Sequence, residues 1–429
     1  MMRAIEPRFA VAVVTKFSTA FLLLIFAAVV FAQEPGPAIS TVTVPIEKQV
    51  RQTFEFKKDR VYFSNEFPGG RLNAITKDEE GRYVVTITPE NAPINMSPWY
   101  AFRVWSRKKK EIQVRLVYPE FARHRYDPKL STDGKSWTPL DPQKIVEEDK
   151  GPGPGIIESR PKSSTITLTV SRRPLWVSAQ ELQTSKEVFE WMDAIAKRAG
   201  ASIVEIGKSR EGRPLRMLQL GNTASKRMML VISRQHPPEV TGYFAMQAFI
   251  EKLIDGSEAS RAFRRDWGIY VVPLMNPDGV DEGHWRHNQG GIDLNRDWQD
   301  FNQPETQAVR GFLARRIDET GGRFYFGIDF HSTWNDIYYP MSRIYEGNSP
   351  RLVHRWLENI QAAIEGYEPR IQANERLFPT RVSRNYFFDC CGMEAIVYEI
   401  GDNTPRDFIR KKGEVAAVEL MKLLSEPRP

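Results

Sequence analysis

Two folds in series are predicted for this chain. An all-β sandwich is expected over residues 37–172. Over residues 176–426 an α/β fold is expected, its doubly wound, mixed and mostly parallel sheet carrying helices on both faces. Three observations lead there. Short strand-like runs separated by turn signals fill the front half. The rear half alternates short apolar runs with stretches of helical periodicity. Polar and ionisable residues gather just after four of those apolar runs, where open α/β sheets place their ligand sites. Size agrees, since 429 residues exceed one typical core and a hydrophobic content of 41% can fill two.

The chain opens with Arg3, Arg8 and Lys16, an apolar stretch over 17–32, and then Gln33-Glu-Pro-Gly. A basic region, an apolar stretch and a small residue at the exit predict a secretory signal over residues 1–32, cleaved after Ala32. A secreted or periplasmic protein follows, the alternative being an uncleaved membrane anchor. No cysteine follows the apolar region closely enough for a lipoprotein. Strands are expected around residues 63–72, 82–88 and 99–104, and residues 165–170 alternate cleanly. Arg107-Lys-Lys-Lys110 lies between two such runs and reads as a solvated hairpin tip, not a nucleic-acid patch. Gly151-Pro-Gly-Pro-Gly155 is a loop without the spacing of a dinucleotide site. The domain boundary is expected between Arg172 and Val177, ahead of a helical pattern over 188–195.

In the rear half, His236-Pro-Pro-Glu239 follows the apolar run 228–233 and precedes a helical pattern over 243–253. An offset of three suits a turn entering a helix, where i and i+3 share a face. Pro237 and Pro238 fit the first turn, whose N–H groups lack intrahelical partners. Run 269–275 leads into Asn276-Pro-Asp-Gly279, a turn by its Pro and Gly, and then to Gly283-His-Trp-Arg286 and Gly291-Ile-Asp293-Leu-Asn295-Arg296. Run 324–330 delivers His331, and run 394–398 delivers Glu399. His236, Glu239 and His331 supply two imidazoles and a carboxylate, a ligand set for catalytic zinc that leaves a fourth position open. The chain has only 6 histidines, so the motif does not arise from a His-rich background. A formal charge of +6 with dispersed Lys and Arg argues against a dedicated nucleic-acid binder.

The set H-x-x-E, N-P-D-G, W-R, G-x-D-L-N-R, D-x-H and a late strand ending in Glu resembles the M14 zinc carboxypeptidases over about the last 250 residues. Residues 206–213 are similar to the hairpin that opens that family's catalytic domain. The resemblance implies a carboxypeptidase-like fold and one zinc ion per chain on His236, Glu239 and His331. It implies that Arg286 polarises the scissile carbonyl and that Asn295 and Arg296 clamp the substrate's terminal carboxylate. Glu399 would be general base and acid, and Asp293 would orient a zinc-binding imidazole. The alternatives are surface arginines at Arg286 and Arg296, a strand cap at Glu399 and a turn-stabilising Asp293. His284 and His287 read as loop histidines with no metal role, and His124 and His354 lie outside any motif. Residues 63–72, 82–88 and 99–104 are similar to the β-sandwich that precedes the catalytic domain in cytosolic-carboxypeptidase-type members.

These residue types suit amide hydrolysis. Negative charge develops on a carbonyl oxygen and needs a cation beside it. A proton must leave water and reach the departing amine, which suits a carboxylate. Arginine's planar fork reads a free carboxylate through both oxygens. Arg384 matches a basic residue of the cytosolic-type relatives, which implies a preference for acidic C-terminal residues; its alternative is a surface arginine. Tyr386 is the candidate for a tyrosine that helps hold the substrate carboxylate, although its short spacing to Glu399 favours packing beside Phe387 and Phe388. Cys390 and Cys391 read as buried thiols in the approach to the site, with a vicinal disulfide as the minor alternative. The expected function is an exported zinc metallocarboxypeptidase whose partners are peptide or protein C-termini. The alternatives are a zinc amidase or deacylase acting on cell-wall peptides or N-acyl amino acids, and an inactive M14-like peptide binder.

Overall fold

The computed structural model describes residues 40–41, 44–153, 156–373 and 381–426. The expected signal over 1–32 lies outside them. None of the described helices is long and apolar enough to cross a membrane.

The front of the chain supplies strands β1 Thr53–Phe56, β2 Val61–Ser64, β3 Ala74–Lys77, β4 Tyr83–Thr86, β5 Ala101–Ser106, β6 Lys110–Val117, β7 Lys129–Ser131, β8 Thr138–Pro139, β9 Ile145–Gly153, β10 Ile156–Val170 and β11 Leu175–Ser178. Among the described residues they form two sheets, ordered β1-β2-β5-β11-β7-β8 and β3-β4-β6-β10-β9. Alternation decides which side chains go inward: Val114 and Leu116 of β6 and Ile166 and Leu168 of β10 fill the space between the sheets with Phe63, Phe102 and Val104. Two expectations change. Residues 107–109 do not tip a hairpin, because β5 and β6 belong to different sheets and the basic stretch crosses between them. Leu175–Ser178, at the expected domain junction, is a sandwich strand paired with both β5 and β7.

The rear of the chain supplies α1 Ser185–Ala199, β12 Ser202–Lys208, β13 Pro214–Gly221, β14 Arg227–Ser233, α2 Val240–Leu253, α3 Glu258–Asp266, β15 Gly268–Val272, α4 Pro277–Asp281, α5 Pro304–Thr320, β16 Arg323–Thr333, β17 Ile337–Pro340, α6 Leu352–Ala363, α7 Ser383–Cys391, β18 Glu394–Gly401 and α8 Arg406–Ser425. The sheet runs β12-β13-β15-β14-β16-β18-β17. Its central strands β15, β14, β16 and β18 are parallel, and antiparallel strands flank them. Both faces are covered. Met228, Leu230 and Ile232 of β14 pack with Phe312 of α5 and Phe387 of α7. Met229 and Val231 pack on the other side with Phe249 of α2 and Leu420 of α8. This explains why β14 is an unbroken apolar run, not an alternating one.

Local chemistry sets the element ends that matter for the site. Pro237 and Pro238 lie in a turn before α2, not in its first turn, and Glu239 is the N-cap. A residue followed by proline avoids the helical region, which keeps His236 and Pro237 out of the helix. Asn276-Pro-Asp-Gly279 starts a short helix instead of a β-turn, with Asn276 capping Gly279 N–H and Pro277 in the first turn. Gly242 lets α2 press onto β16, since a Cβ there would sit 2.2 Å from the His331 carbonyl oxygen. Cys390 and Cys391 are not buried thiols. They are bonded to each other at the end of α7, Cys390 exposed and Cys391 half-buried.

Candidate active site

β14, β16 and β18 run parallel, so their carboxyl ends open on the same side of the sheet. His236 and Glu239 follow β14, His331 lies near the end of β16, and Glu399 lies near the end of β18. His236 Nδ1 lies 2.8 Å from Glu239 Oε1, His331 Nδ1 lies 2.6 Å from Glu239 Oε2, and the two Nδ1 atoms are 3.1 Å apart. All three side chains are buried.

The outer nitrogens of both rings face carboxylates. His236 Nε2 is 2.9 Å from Asp293 Oδ1, and His331 Nε2 is 2.8 Å from Asp329 Oδ2. Nε2–H groups donating outward leave the Nδ1 lone pairs pointing inward at Glu239. Three electron-pair donors converging in a buried place call for a cation between them. The donor set and its outer hydrogen bonds are those of a zinc site, so the residues present fit that ion. Burial works against a charged His331, yet Asp329 and Glu239 raise its imidazole well above the usual histidine range. That is a further mark of negative potential.

The ligands line a cavity of about 460 Å³ whose walls also include Arg286, Asn295, Arg296, Arg384 and Glu399. Arg286 is held through Nε by Asp293 Oδ2 at 2.7 Å, so one carboxylate ties together His236 and Arg286. Asn295 accepts the Ser383 N–H at 2.9 Å, and Arg296 donates to the Asn295 carbonyl at 2.8 Å. Arg384, at the start of α7, is buried, donates to the Tyr339 carbonyl at 2.7 Å and sits over the Tyr339 ring. Burial lowers its guanidinium to about 10, which still leaves it charged at neutral pH. Glu399 is half-buried, and its carboxylate makes no hydrogen bond among the described residues. Burial first, then the neighbouring Glu239, pushes it up to about 7 against the pull of His331 and Arg286.

Tyr386 is not part of this cavity. It packs against Phe301 (4.8 Å between ring centres) and Trp298 (5.7 Å), in keeping with its short spacing to Glu399. His284 and His287 are buried apart from the ligands. His287 meets Ser40 Oγ and Asn91 Oδ1, and His284 Nδ1 meets the His287 carbonyl. His124 bonds the Tyr118 hydroxyl and His354 the Met341 carbonyl.

Several contributors escaped the sequence reading. Asp329 had a signal, the first residue of D-x-H, two positions before His331 and therefore on the same face of the strand. Ser383 Oγ and Gln235 Nε2 both donate to it at 2.5 Å. Tyr339, Trp334 and the sandwich residues Asn95, Met96 and Arg125 also line the cavity, and no local pattern marks them. Arg125 donates through Nε to Asp402 Oδ2 at 2.7 Å, just past β18, and its guanidinium lies over the Trp334 ring.

Comparison with known proteins follows the same lines. A family model described as zinc carboxypeptidase matches residues 188–376, and one described as the cytosolic carboxypeptidase N-terminal domain matches residues 63–151. The chain is 24% identical over 267 residues to an uncharacterised protein of Zymomonas mobilis, covering 60% of this chain and 64% of that one. It is 29% identical over 140 residues to cytosolic carboxypeptidase 6 of Mus musculus, covering 30% of this chain and 26% of that one. The chain thus spans less than two thirds of these relatives. A crystal structure of a metallo-carboxypeptidase from Burkholderia cenocepacia shares the fold with a TM-score of 0.69 at 18% identity, over 85% of this chain and 98% of that one. A metallo-carboxypeptidase from Pseudomonas aeruginosa, solved with (2-guanidinoethylmercapto)succinic acid, gives 0.64 at 18% identity, over 84% and 98%. The strand-rich front, the carboxypeptidase fold behind it and the two family matches together show that the chain belongs to the M14 zinc carboxypeptidases, among those with the cytosolic-carboxypeptidase type of N-terminal domain.

Proposed function

We propose that the protein is a zinc-dependent metallocarboxypeptidase that removes C-terminal residues from peptides or proteins, with a preference for acidic ones. The observation that carries this reading is one cavity holding two converging imidazoles and a carboxylate beside several arginines and Glu399, whose carboxylate has no hydrogen-bond partner among the described residues. His236, Glu239 and His331 would hold the metal. When bound, zinc supplies Lewis acidity toward the scissile carbonyl and makes water easier to deprotonate.

This chain's own residues do the rest. Glu399, raised to about 7, takes a proton from the attacking water and returns it to the leaving amine. Arg286, fixed at Nε by Asp293, offers its remaining N–H groups to the carbonyl oxygen as charge develops there. Arg296 and Asn295 grip the terminal carboxylate, so that only a chain end is read. Arg384, with Tyr339 beneath it, pairs with an acidic side chain on the last residue. Asn95, Met96 and Arg125 of the sandwich narrow the mouth to extended chain ends.

The reading includes export, supported by the basic and apolar pattern of residues 3–32. One of the relatives is named a cytosolic carboxypeptidase, so the N-terminus of protein recovered from culture fractions is the check. The function is tested with peptides differing only in the last residue, followed by mass spectrometry with and without a zinc chelator. Chelator-sensitive loss of single C-terminal residues supports it. No trimming by a zinc-loaded chain moves the weight to an amidase or a peptide binder.

A further inference from the structure

The segment carrying Arg286 lies in neither helix nor strand, yet its backbone is held by a single side chain from the other half of the molecule. Glu90, in the sandwich loop that follows β4, accepts the N–H groups of Trp285 at 2.7 Å, Arg286 at 2.9 Å and His287 at 2.7 Å. Oε2 takes the first and Oε1 the other two. The carboxylate is 0% exposed, and all of these hydrogen bonds cross to the catalytic half. A buried charge is costly, and among the described residues no sandwich group hydrogen-bonds to this carboxylate. Asn91 holds the far end of the same loop, with Oδ1 2.5 Å from His287 Nδ1 and Nδ2 donating to the Gly291 carbonyl at 3.1 Å. Trp285 itself is buried in the sandwich core.

Burial alone would raise the Glu90 carboxyl. His284, His287, Arg71 and the His287 N–H overcome it and hold the group down to about 2. The two histidines are themselves lowered by burial, so at neutral pH Arg71 and the N–H donors are the partners that keep Glu90 charged.

We propose that Glu90 is a positioning residue: it fixes the backbone of Arg286 while Asp293 fixes the side chain, which makes the sandwich a working part of the catalytic site. This rests on the carboxypeptidase reading, with Arg286 at the carbonyl oxygen. A donor aimed at developing charge works only where it is preorganised, so a loosened backbone at Arg286 weakens the transition state more than substrate binding. Glu90→Gln keeps the shape but turns an NH2 toward a backbone N–H.

The test is steady-state kinetics of the zinc-loaded, full chain on the best-trimmed peptide, comparing wild type, E90Q, R286A and the double variant. Glu90→Gln is expected to lower kcat about 10- to 100-fold with KM changed less than about 3-fold, and to cost less than about 3-fold more in the Arg286→Ala background. An equal fold-loss in both backgrounds overturns the proposal. If Glu90→Gln does not fold, Asn91→Ala carries the same comparison, with an expected loss of about 3- to 10-fold. Hydrogen exchange in the metal-free chain reads the cap without any turnover. The amides of residues 285–287 should exchange at least about 10-fold faster in Glu90→Gln, or in Asn91→Ala, while β14 and β16 are unchanged. Unchanged protection overturns the proposal. Wild type inert on every peptide, with the cap intact by exchange, sinks the carboxypeptidase reading instead.

Discussion

His331 and Glu399 are register partners on β16 and β18, so the proposed metal ligand and the proposed base stand side by side on adjacent parallel strands. Parallel neighbours lie about 4.8 Å apart and put paired residues on the same face. The sheet therefore sets the spacing between metal and base, and no loop has to be ordered to bring them together.

The two residues should respond differently to substitution. Glu399→Gln is expected to cost about 10²- to 10⁴-fold in kcat while leaving one zinc per chain, because only the proton carrier is lost. His236→Ala should lose both zinc and activity. Metal analysis alongside peptide trimming separates them, and near-normal turnover in Glu399→Gln removes that residue from the base role.

The pH dependence follows from the sign of the Glu399 shift. Only the carboxylate form can accept a proton from water, so kcat/KM should fall tenfold per unit of pH below its pKa. That value is about 7 in the metal-free protein, raised by burial and by Glu239. A divalent cation next door favours the carboxylate, which moves the limb downward. The zinc-loaded enzyme should thus show an acid limb at or below pH 7. A profile that stays flat as the pH falls to the point where zinc itself dissociates would contradict the assignment.

Much of this arrangement was legible in the chain because strand ends leave local marks. A short apolar run followed by a chemically distinctive residue located His236, His331 and Glu399. The hairpin that opens the sheet also read correctly, with β12 and β13 pairing antiparallel and closing at Lys208 and Pro214. What could not be read was set by distance in sequence. Glu90 and Arg286 are 196 residues apart, Arg125 and Asp402 are 277 apart, and neither pair has a period or motif to announce it. Tyr386 is the mixed case: its residue type suggested a carboxylate-binding role, its short spacing to Glu399 favoured packing, and helix phase turns it toward Trp298 and Phe301. The basic stretch 107–110 looked like a hairpin because sequence shows strands but not which sheet each one joins.

Asp329 should matter to metal affinity without touching the metal. It accepts from His331 Nε2 and is itself held by Ser383 and Gln235. Asp329→Asn weakens the outward hydrogen bond and should lower zinc affinity about 10- to 100-fold in a chelator competition. An unchanged affinity would mean that the ring is oriented by packing alone.

Arg384 offers a test of substrate choice. Arg384→Ala should cost about 10- to 100-fold in kcat/KM for peptides ending in Glu or Asp and little for those ending in Ala or Leu. Arg384→Lys should recover only part of that, because a lysine cannot donate to the Tyr339 carbonyl and fork a carboxylate at once. Equal losses across the panel would make Arg384 a structural arginine.

The last prediction concerns how the two halves stay together. Arg125 and Asp402 form a buried pair across them, and the same guanidinium reaches the Ser97 hydroxyl and the Met96 and Ser332 carbonyls. The two groups pull in different directions. Asp402 lifts the Arg125 pKa, whereas burial raises the Asp402 carboxyl in spite of Arg125. Two contacts from one guanidinium, at 2.7 and 3.3 Å, favour the charged pair at neutral pH, and burial then makes its separation costly. Arg125→Ala strands a buried carboxylate and should cost about 3 to 5 kcal/mol in urea denaturation. Replacing both partners, as in Arg125→Met with Asp402→Leu, should recover part of that loss but not all, because the three other acceptors still lose their donor. A single variant costing under about 1 kcal/mol would show that water reaches the pair. The sandwich would then be joined to the catalytic half by its apolar contacts around Trp285 and Val240 instead.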